Sequence, residues 1–303
     1  MIEKFIDKRF HATTRQTIET VNSIGREYAA QGYNLTVRQL YYQLVARGYI
    51  ENSTRSYKKL CGAVNDGRMA GLIDWDMITD RGRETITPAH WTDPADIVQS
   101  AARSFAINKW RDQDNHIEVM VEKQALEGVL IPVCQRLDIS FAANKGYSSS
   151  SALYETAQRL RQAVGAGKTA WILYLGDHDP SGIDMTRDVR HRVQLFAGVQ
   201  VNVERLALNR DQVDELNPPE NPAKDDDSRF DSYAAEHGLA SWELDAIEPR
   251  RLAQIVTKAA EALRDPARWS VALRQEDEMR ATIVALAEQL DPGLDQDPGE
   301  GEQ

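Results

Sequence analysis

Asp177 and Asp179 stand one residue apart in the stretch from Trp171 to Asp184, WILYLGDHDPSGID. Two converging carboxylates repel each other unless a cation lies between them. An all-oxygen set suits Mg2+, which takes few carboxylates and keeps several waters. In an extended chain residues 177 and 179 point the same way. His178 then points to the opposite side and is not expected to be a ligand. A second spacing is that of Arg38 and Tyr42 in TVRQLYYQL. Residues four apart share one helical face. A guanidinium there can grip a phosphate bidentately and favour the phenolate. That help matters because a phenol with a pKa of about 10 is a weak nucleophile at neutral pH. A third candidate is Glu122, just past the apolar core of IEVMVEK. Each has a plainer alternative: an aspartate capping a helix in a solvated turn, a core tyrosine, a surface glutamate. Only one of Tyr41 and Tyr42 can face a groove. Helical phase groups Tyr41 with Leu44 and Val45, and Tyr42 with Arg38, so Tyr42 is expected to be the exposed one.

The elements that must position these residues follow from periodicity. Residues 12–31 carry Ile18, Val21, Ile24 and Tyr28 at helical spacing. Thr36 is a plausible N-cap for a second helix, with Leu40, Leu44 and Val45 as its apolar stripe and Gly48 as its stop. A third helix runs from Ser53 to Ala70, and LIDWDMITDRGR reads as a short extended wing. Three helices and a wing suggest a winged helix-turn-helix, a DNA-binding shape. Arg47, Arg55, Lys58, Lys59, Arg68, Arg81 and Arg83, with Arg38, are its candidate phosphate contacts; Lys145 is a further one, and a solvated helical face is the alternative.

A connecting helix spans residues 94–110. The strand IEVMVEK, a helix over residues 124–137, the strand ISFAAN and a helix over residues 152–164 follow. Next come the strand before Asp177, the helix Ile183 to Leu195 and the strand VQVNVERLAL. This alternation predicts an α/β fold, a parallel sheet with helices on both faces. Glu122 and the aspartate pair then fall at equivalent strand ends, where open α/β sheets bind ligands. Residues 209–229 are Pro-rich and polar and read as a loop or extended insertion carrying Lys224 and Arg229. SWELDAIEP is a possible last strand before a helix over residues 250–263. Residues 274–290 are helical by spacing, and the acidic tail from Asp291 is expected to be disordered.

The formal charge of −11 is uneven: 16 Lys/Arg against 13 Asp/Glu through Gln113, and 20 against 34 beyond it. Local basic surface, not the sum, decides DNA binding. Cys61 and Cys134 are the two cysteines, lack metal-ligand spacing and point to a reducing compartment. No apolar run reaches the roughly 18 residues of a membrane span, and the N-terminus has no signal-peptide core. Cytoplasm is the expected location.

The order of three helices and a wing, a strand-end Glu122, and Gly-Asp-x-Asp-Pro-x-Gly at residues 176–182 resembles the A subunit of topoisomerase VI and the related meiotic double-strand-break transesterase. Those proteins join a winged helix bearing a catalytic tyrosine to a Toprim domain. The Toprim likeness covers roughly Glu118 to Leu208. Arg38 and Tyr42 match the family's Arg-to-Tyr spacing, NKGY at Asn144 to Tyr147 its glycine turn, and WELDAI its late Glu-Leu-Asp-Ala segment. The small free-standing Mini-A proteins of phages and mobile elements are more similar in length. The resemblance implies a winged-helix domain over residues 1–112, a Toprim domain over residues 113–265, and a C-terminal helix and tail over residues 266–303. It implies Mg2+ on Glu122, Asp177 and Asp179, and Tyr42 attack on double-stranded DNA to give a 5′-phosphotyrosyl link. It further implies a homodimer in which one protomer's tyrosine meets the other's acids, and a separately encoded ATPase subunit for strand passage. A Toprim hydrolase using water, and a non-catalytic DNA-binding protein, are the competing expectations.

Overall fold

The computed structural model describes residues 2–78, 88–144, 146–223 and 225–290. The chain divides into two compact units, one of Met1–Arg83 with Asp114–Leu263, the other of Glu84–Gln113 with Arg264–Gln303.

The first unit begins with three helices, α1 (Ala12–Ala29), α2 (Val37–Ala46) and α3 (Thr54–Met69). Their apolar stripes close on one core of Ile18, Val21, Ile24, Leu40, Leu44 and Leu60. Thr36 caps α2 as expected: its hydroxyl accepts the Gln39 N–H at 3.2 Å, and Gln39 Oε1 accepts the Thr36 N–H at 2.8 Å. That reciprocal pair satisfies two amides a helix start otherwise leaves bare. The expected wing is different over its described part. Trp75–Met77 is a turn of 3-10 helix, and Ile78 makes only an isolated parallel bridge to Leu35. Asp74 accepts the Asp76 N–H at 2.9 Å, which closes the turn where extension was expected. Residues 79–83 of that stretch lie outside the described residues.

The second unit carries α4 (Pro94–Ser104), shorter than the expected 94–110. Beyond Ser104 the chain is used otherwise: the Ile107 N–H donates to Glu276 at 3.0 Å, and the Lys109 ammonium pairs with the same carboxylate at 2.5 Å.

The first unit resumes with β1 (Asn115–Val121), α5 (Glu127–Arg136), β2 (Ser140–Ala143), α6 (Ser150–Gly165), β3 (Thr169–Leu175), α7 (Pro180–Ala197) and β4 (Asn202–Ala207). The four strands pair in parallel in the order β2-β1-β3-β4. Helices α6 and α7 cover one face, burying Leu153, Leu160, Val189 and Val193 against Ile172 and Tyr174. The alternate strand residues Val119, Val121, Leu173 and Leu175 are also buried, as a sheet covered on both faces requires. The region expected to be an irregular insertion is partly ordered. It holds α8 (Arg210–Leu216) and β5 (Glu220–Pro222), and after α9 (Phe230–His237) comes β6 (Ala240–Trp242), antiparallel to β5 in a separate two-stranded ribbon. SWELDAIEP is therefore a short ribbon strand followed by a 3-10 turn, Leu244–Ala246. Helix α10 (Pro249–Ala262) ends this unit. In the second unit α11 (Pro266–Leu290) packs along α4, with Trp110 and Trp269 in an edge contact at 5.9 Å.

Candidate functional site

The chain passes from β1 outward to β2, then back across β1 to β3, so the winding reverses between β1 and β3. Loops leaving those strands splay apart there, and the crevice at the carboxyl ends is where such sheets bind ligands. Val121 pairs with Leu175, so Glu122 and Gly176 leave the sheet at one level. Two glycines let the acidic loop fold tightly. A Cβ on Gly176 would lie 2.8 Å from Glu122 Oε2 and 2.9 Å from the Tyr174 ring. One on Gly182 would lie 2.3 Å from the Asp177 carbonyl oxygen.

Glu122 and Asp177 are brought together: Glu122 Oε2 accepts the Asp177 N–H at 2.9 Å. Asp177 Oδ1 accepts the Leu244 N–H at 2.7 Å, and its Oδ2 is 2.8 Å from the Lys123 ammonium. Asp179 has another occupation. It is the N-cap of α7, accepting the Gly182 N–H at 2.6 Å and the Ser181 hydroxyl at 2.9 Å, the plainer alternative for such a residue. His178 turns its ring toward Tyr233, His237 and Trp242. The all-oxygen chemistry of the three acids suits Mg2+, but their arrangement does not fit it. Among the described residues no three carboxylate, imidazole or thiol groups are set to hold a metal ion.

Two further acids belong to the site, Glu243 and Asp245 of WELDAI. Arg38 reaches Glu243 Oε2 through Nη2 at 2.7 Å and Asp245 Oδ2 through Nε at 2.8 Å. Lys123 meets Glu243 as well, and Asp245 Oδ1 at 3.1 Å. A continuous polar chain thus runs from α2 through Arg38, Glu243, Asp245 and Lys123 to Asp177 and Glu122. Burial pushes the Asp177 carboxyl up to about 8 against the pull of Lys123, with Glu122 adding to the rise. Burial also pushes Glu243 up, but Lys123 and Arg38 together hold it down at about 2. Burial works against the Lys123 ammonium, yet Asp245, Asp177 and Glu243 keep it charged well above the usual lysine range.

Tyr42 is not exposed, contrary to the phase argument: it is 4% exposed, and Tyr41 5%. Helical phase says which residues share a face; it does not say that the Leu244–Ala246 turn packs over that face. The two phenols nevertheless differ. The Tyr41 hydroxyl accepts the Ser53 N–H at 2.7 Å and lies 2.9 Å from Asn52 Oδ1. The Tyr42 hydroxyl has Arg38 Nη2 at 3.5 Å. It lines a cavity of about 380 Å³ with Arg38, Tyr57, Ser53, Asn221 and Glu243. Burial raises its phenol above the usual value, and Glu243 and Asp245 raise it further against Arg38 and Lys123.

The chain matches no protein-family model and no curated protein. The site is therefore read from its own geometry. Among the basic candidates, Arg47 is paired with both oxygens of Glu27 at 2.7 and 2.9 Å. Arg68 donates to the carbonyls of Ile78 and, at 3.0 Å, Trp75, with its guanidinium over the Trp75 ring. Lys58 and Lys59 are exposed and line a cleft of about 570 Å³ with Thr13, Thr14, Thr17 and Ser56. Arg81, Arg83 and Lys145 lie outside the described residues. No helix among the described residues is long and apolar enough to cross a membrane. Glu243 and Asp245 carry no local signal; the likeness of WELDAI to a family segment is the one clue to them. Lys123 could have been flagged as the cation next to Glu122.

Proposed function

We propose that this chain is a DNA-cleaving transesterase of the topoisomerase VI A-subunit kind, with a winged-helix part in α1–α3 and a Toprim part in β1–β4. The observation that carries the reading is Arg38. Its Nη2 lies 3.5 Å from the Tyr42 hydroxyl and 2.7 Å from Glu243, so one guanidinium joins a helix-borne phenol to the acids at the sheet's carboxyl end. A DNA phosphate is a bidentate ligand for that guanidinium and competes with Glu243 for it. Once Arg38 holds the phosphate, its charge favours the phenolate and offsets charge developing at phosphorus. Tyr42 Oη then bonds to phosphorus as the P–O3′ bond breaks; the phenol loses its proton and the 3′-oxygen gains one. The product is a 5′-phosphotyrosyl end, and the reverse reaction reseals the strand.

The resting site is closed: Glu243 occupies Arg38, and burial keeps Tyr42 a phenol. Low cleavage by the chain alone is expected, consistent with a need for DNA and for the ATPase partner that the resemblance implies. The same-chain pairing of Arg38 with Glu243 and Asp245 supports Tyr42 working with its own protomer's acids. A homodimer and Mg2+ are what the resemblance adds. The test is supercoiled DNA with Mg2+, quenched with denaturant and probed for protein-linked breaks. Covalent breaks that vanish in Tyr42→Phe and persist in Tyr41→Phe support the reading. One observation, the enclosure of Tyr42, favours a second reading in which water is the nucleophile. Nicking that survives Tyr42→Phe and is lost in Asp177→Asn selects that hydrolase, and salt-sensitive DNA binding with no break selects a binding protein.

A further inference from the structure

A shift of register in the edge strand β4 brings one arginine against the acidic loop. Tyr174 pairs with Arg205 but Leu175 with Ala207, so Leu206 is an extra residue. A bulge of this kind bends its strand and re-aims a neighbouring side chain. Past it the ladder continues for one step: the Gly176 N–H donates to the Ala207 carbonyl and the Leu208 N–H to the Gly176 carbonyl, both at 2.7 Å. Arg205 Nη2 donates to the carbonyls of Asp177 at 2.5 Å, Gly176 at 3.1 Å and Leu208 at 3.3 Å. Its Nη1 donates to the Gly182 carbonyl at 3.0 Å and the Thr186 hydroxyl at 2.5 Å. One guanidinium therefore ties together the loop after β3, the first turns of α7 and the end of β4.

These contacts fix the direction of Asp177. While Arg205 holds its carbonyl, its N–H donates to Glu122 at 2.9 Å and its carboxylate accepts the Leu244 N–H at 2.7 Å. Carbonyl, amide and side chain of this one residue are each engaged by a different element, which leaves its two soft dihedrals no room. Arg205 is half-buried, and among the described residues its hydrogen bonds go to carbonyls and a hydroxyl. Carbonyl oxygens converging away from water need a donor for each. A guanidinium supplies five N–H groups in a rigid fork, whereas an ammonium supplies three from a single point. Gly176 lets the fork come close to the acids. A Cβ there would lie 2.8 Å from Glu122 Oε2 and 3.3 Å from Arg205 Nη1, so the two charges stand within the roughly 4–6 Å at which unlike charges act on each other.

We infer that Arg205 is a positioning residue for the acidic site: its fork gathers the carbonyls of Gly176, Asp177 and Gly182 and thereby holds Asp177 and Glu122 in their mutual geometry. It acts through the loop, from behind the acids. For what the acids do, the inference rests on the transesterase reading; for their placement it rests on the hydrogen bonds alone. The fork, and not the charge by itself, is what the role requires. Lysine at this position keeps the charge and loses the fork, so the conservative change separates the two.

The test compares Arg205→Lys with wild type, as full chains, in two assays. The first is amide hydrogen exchange read by NMR without DNA. Exchange at Asp177 and Leu244 is expected to quicken roughly tenfold in the variant, with Val119 and Leu173 in the sheet unchanged. The Asp177 amide proton, bonded to Glu122, should also move upfield. Unchanged exchange at Asp177 and Leu244 overturns the inference. So does equal quickening in the sheet strands, which marks a role in the fold alone. Should Arg205→Lys fail to fold, Thr186→Val decides: it takes one acceptor from the fork and is expected to quicken exchange at Asp177 about threefold, and no change overturns the inference. The second assay is covalent breakage of supercoiled DNA with Mg2+. Arg205→Lys is expected to lower the rate at saturating DNA roughly ten- to a hundredfold and to leave the half-saturating DNA concentration unchanged. Breaks that both proteins form equally fast overturn the positioning role. Local quickening of exchange beside a wild type that forms no breaks supports the placement and removes the transesterase reading.

Discussion

Replacing Gly182 by alanine tests the packing of the acidic loop most directly. The added Cβ would lie 2.3 Å from the Asp177 carbonyl oxygen and 3.1 Å from Asp179 Oδ1. To reach ordinary contact the first turn of α7 and the loop must separate by about 1 Å, and the opposing atom is backbone that cannot rotate away. The same carbonyl accepts a hydrogen bond from Arg205 at 2.5 Å, and the Gly182 N–H caps onto Asp179 at 2.6 Å. Overpacking costs about 1–3 kcal/mol and loss of a cap about 1 kcal/mol, so Gly182→Ala is expected to destabilise by about 2–4 kcal/mol. Gly62, inside α3, has no heavy atom within 4 Å of its added Cβ. There alanine relieves only the conformational entropy of glycine, and Gly62→Ala should stabilise by about 0.5–1 kcal/mol. Urea unfolding followed by circular dichroism and tryptophan fluorescence measures both changes. A Gly182→Ala protein within about 0.5 kcal/mol of wild type would refute the close approach, and with it the described path of the acidic loop.

The two tyrosines should separate in stability as well as in activity. Tyr41→Phe removes the hydroxyl that bonds the Ser53 N–H and Asn52 Oδ1 and should cost about 0.5–1.5 kcal/mol, while Tyr42→Phe should cost under about 0.5 kcal/mol, both read from urea midpoints. Acid should strip two contributions from the fold in two stages, against the opposite trend of Asp177, whose carboxyl, raised to about 8, adds stability as pH falls from 8 toward its unfolded value of about 4. Burial holds the His178 imidazole at about 4, below its unfolded value of about 6.5, so its contribution is whole above pH 6.5 and is lost as pH falls through 4. Glu243, held at about 2 against 4.5 unfolded, contributes fully above pH 4.5 and loses that contribution as pH falls toward 2. A pH series of unfolding midpoints measures both stages, and His178→Gln should flatten the upper one. Arg159→Met should cost about 2–3 kcal/mol in the same assay, because it strips the bidentate partner, at 2.7 and 2.9 Å, from the buried Glu118.

Much of the sheet domain was legible because burial on both faces writes itself as short apolar runs. IEVMV and WILYL are both strands, and the acids were expected at the ends of those strands, where Glu122 and Asp177 stand. Thr36 was legible as a cap for the same local reason. What escaped is long-range or short. Arg38 and Glu243 lie 205 residues apart, and no periodicity records that they meet. Helix α8 has 7 residues, too few to impose a stripe on its polar surroundings. Asp179 reads equally well as ligand or cap until the Gly182 amide is seen to claim it. Lys123 was passed over because a lysine after a strand is ordinarily solvated, and only the fold surrounds it with carboxylates.

The turn after β6 belongs to two cores at once. Trp242 exchanges backbone hydrogen bonds with His178, the Leu244 N–H holds Asp177, and Ala246 is buried among the side chains of α1–α3. A gene truncated after the third helix would therefore encode a bundle lacking one of its own interior residues. The remainder would carry an unplugged alanine, and Glu243 and Asp245 would lose the Arg38 guanidinium. Neither half should fold natively by itself, so tyrosine and acids are inherited as one mechanical piece.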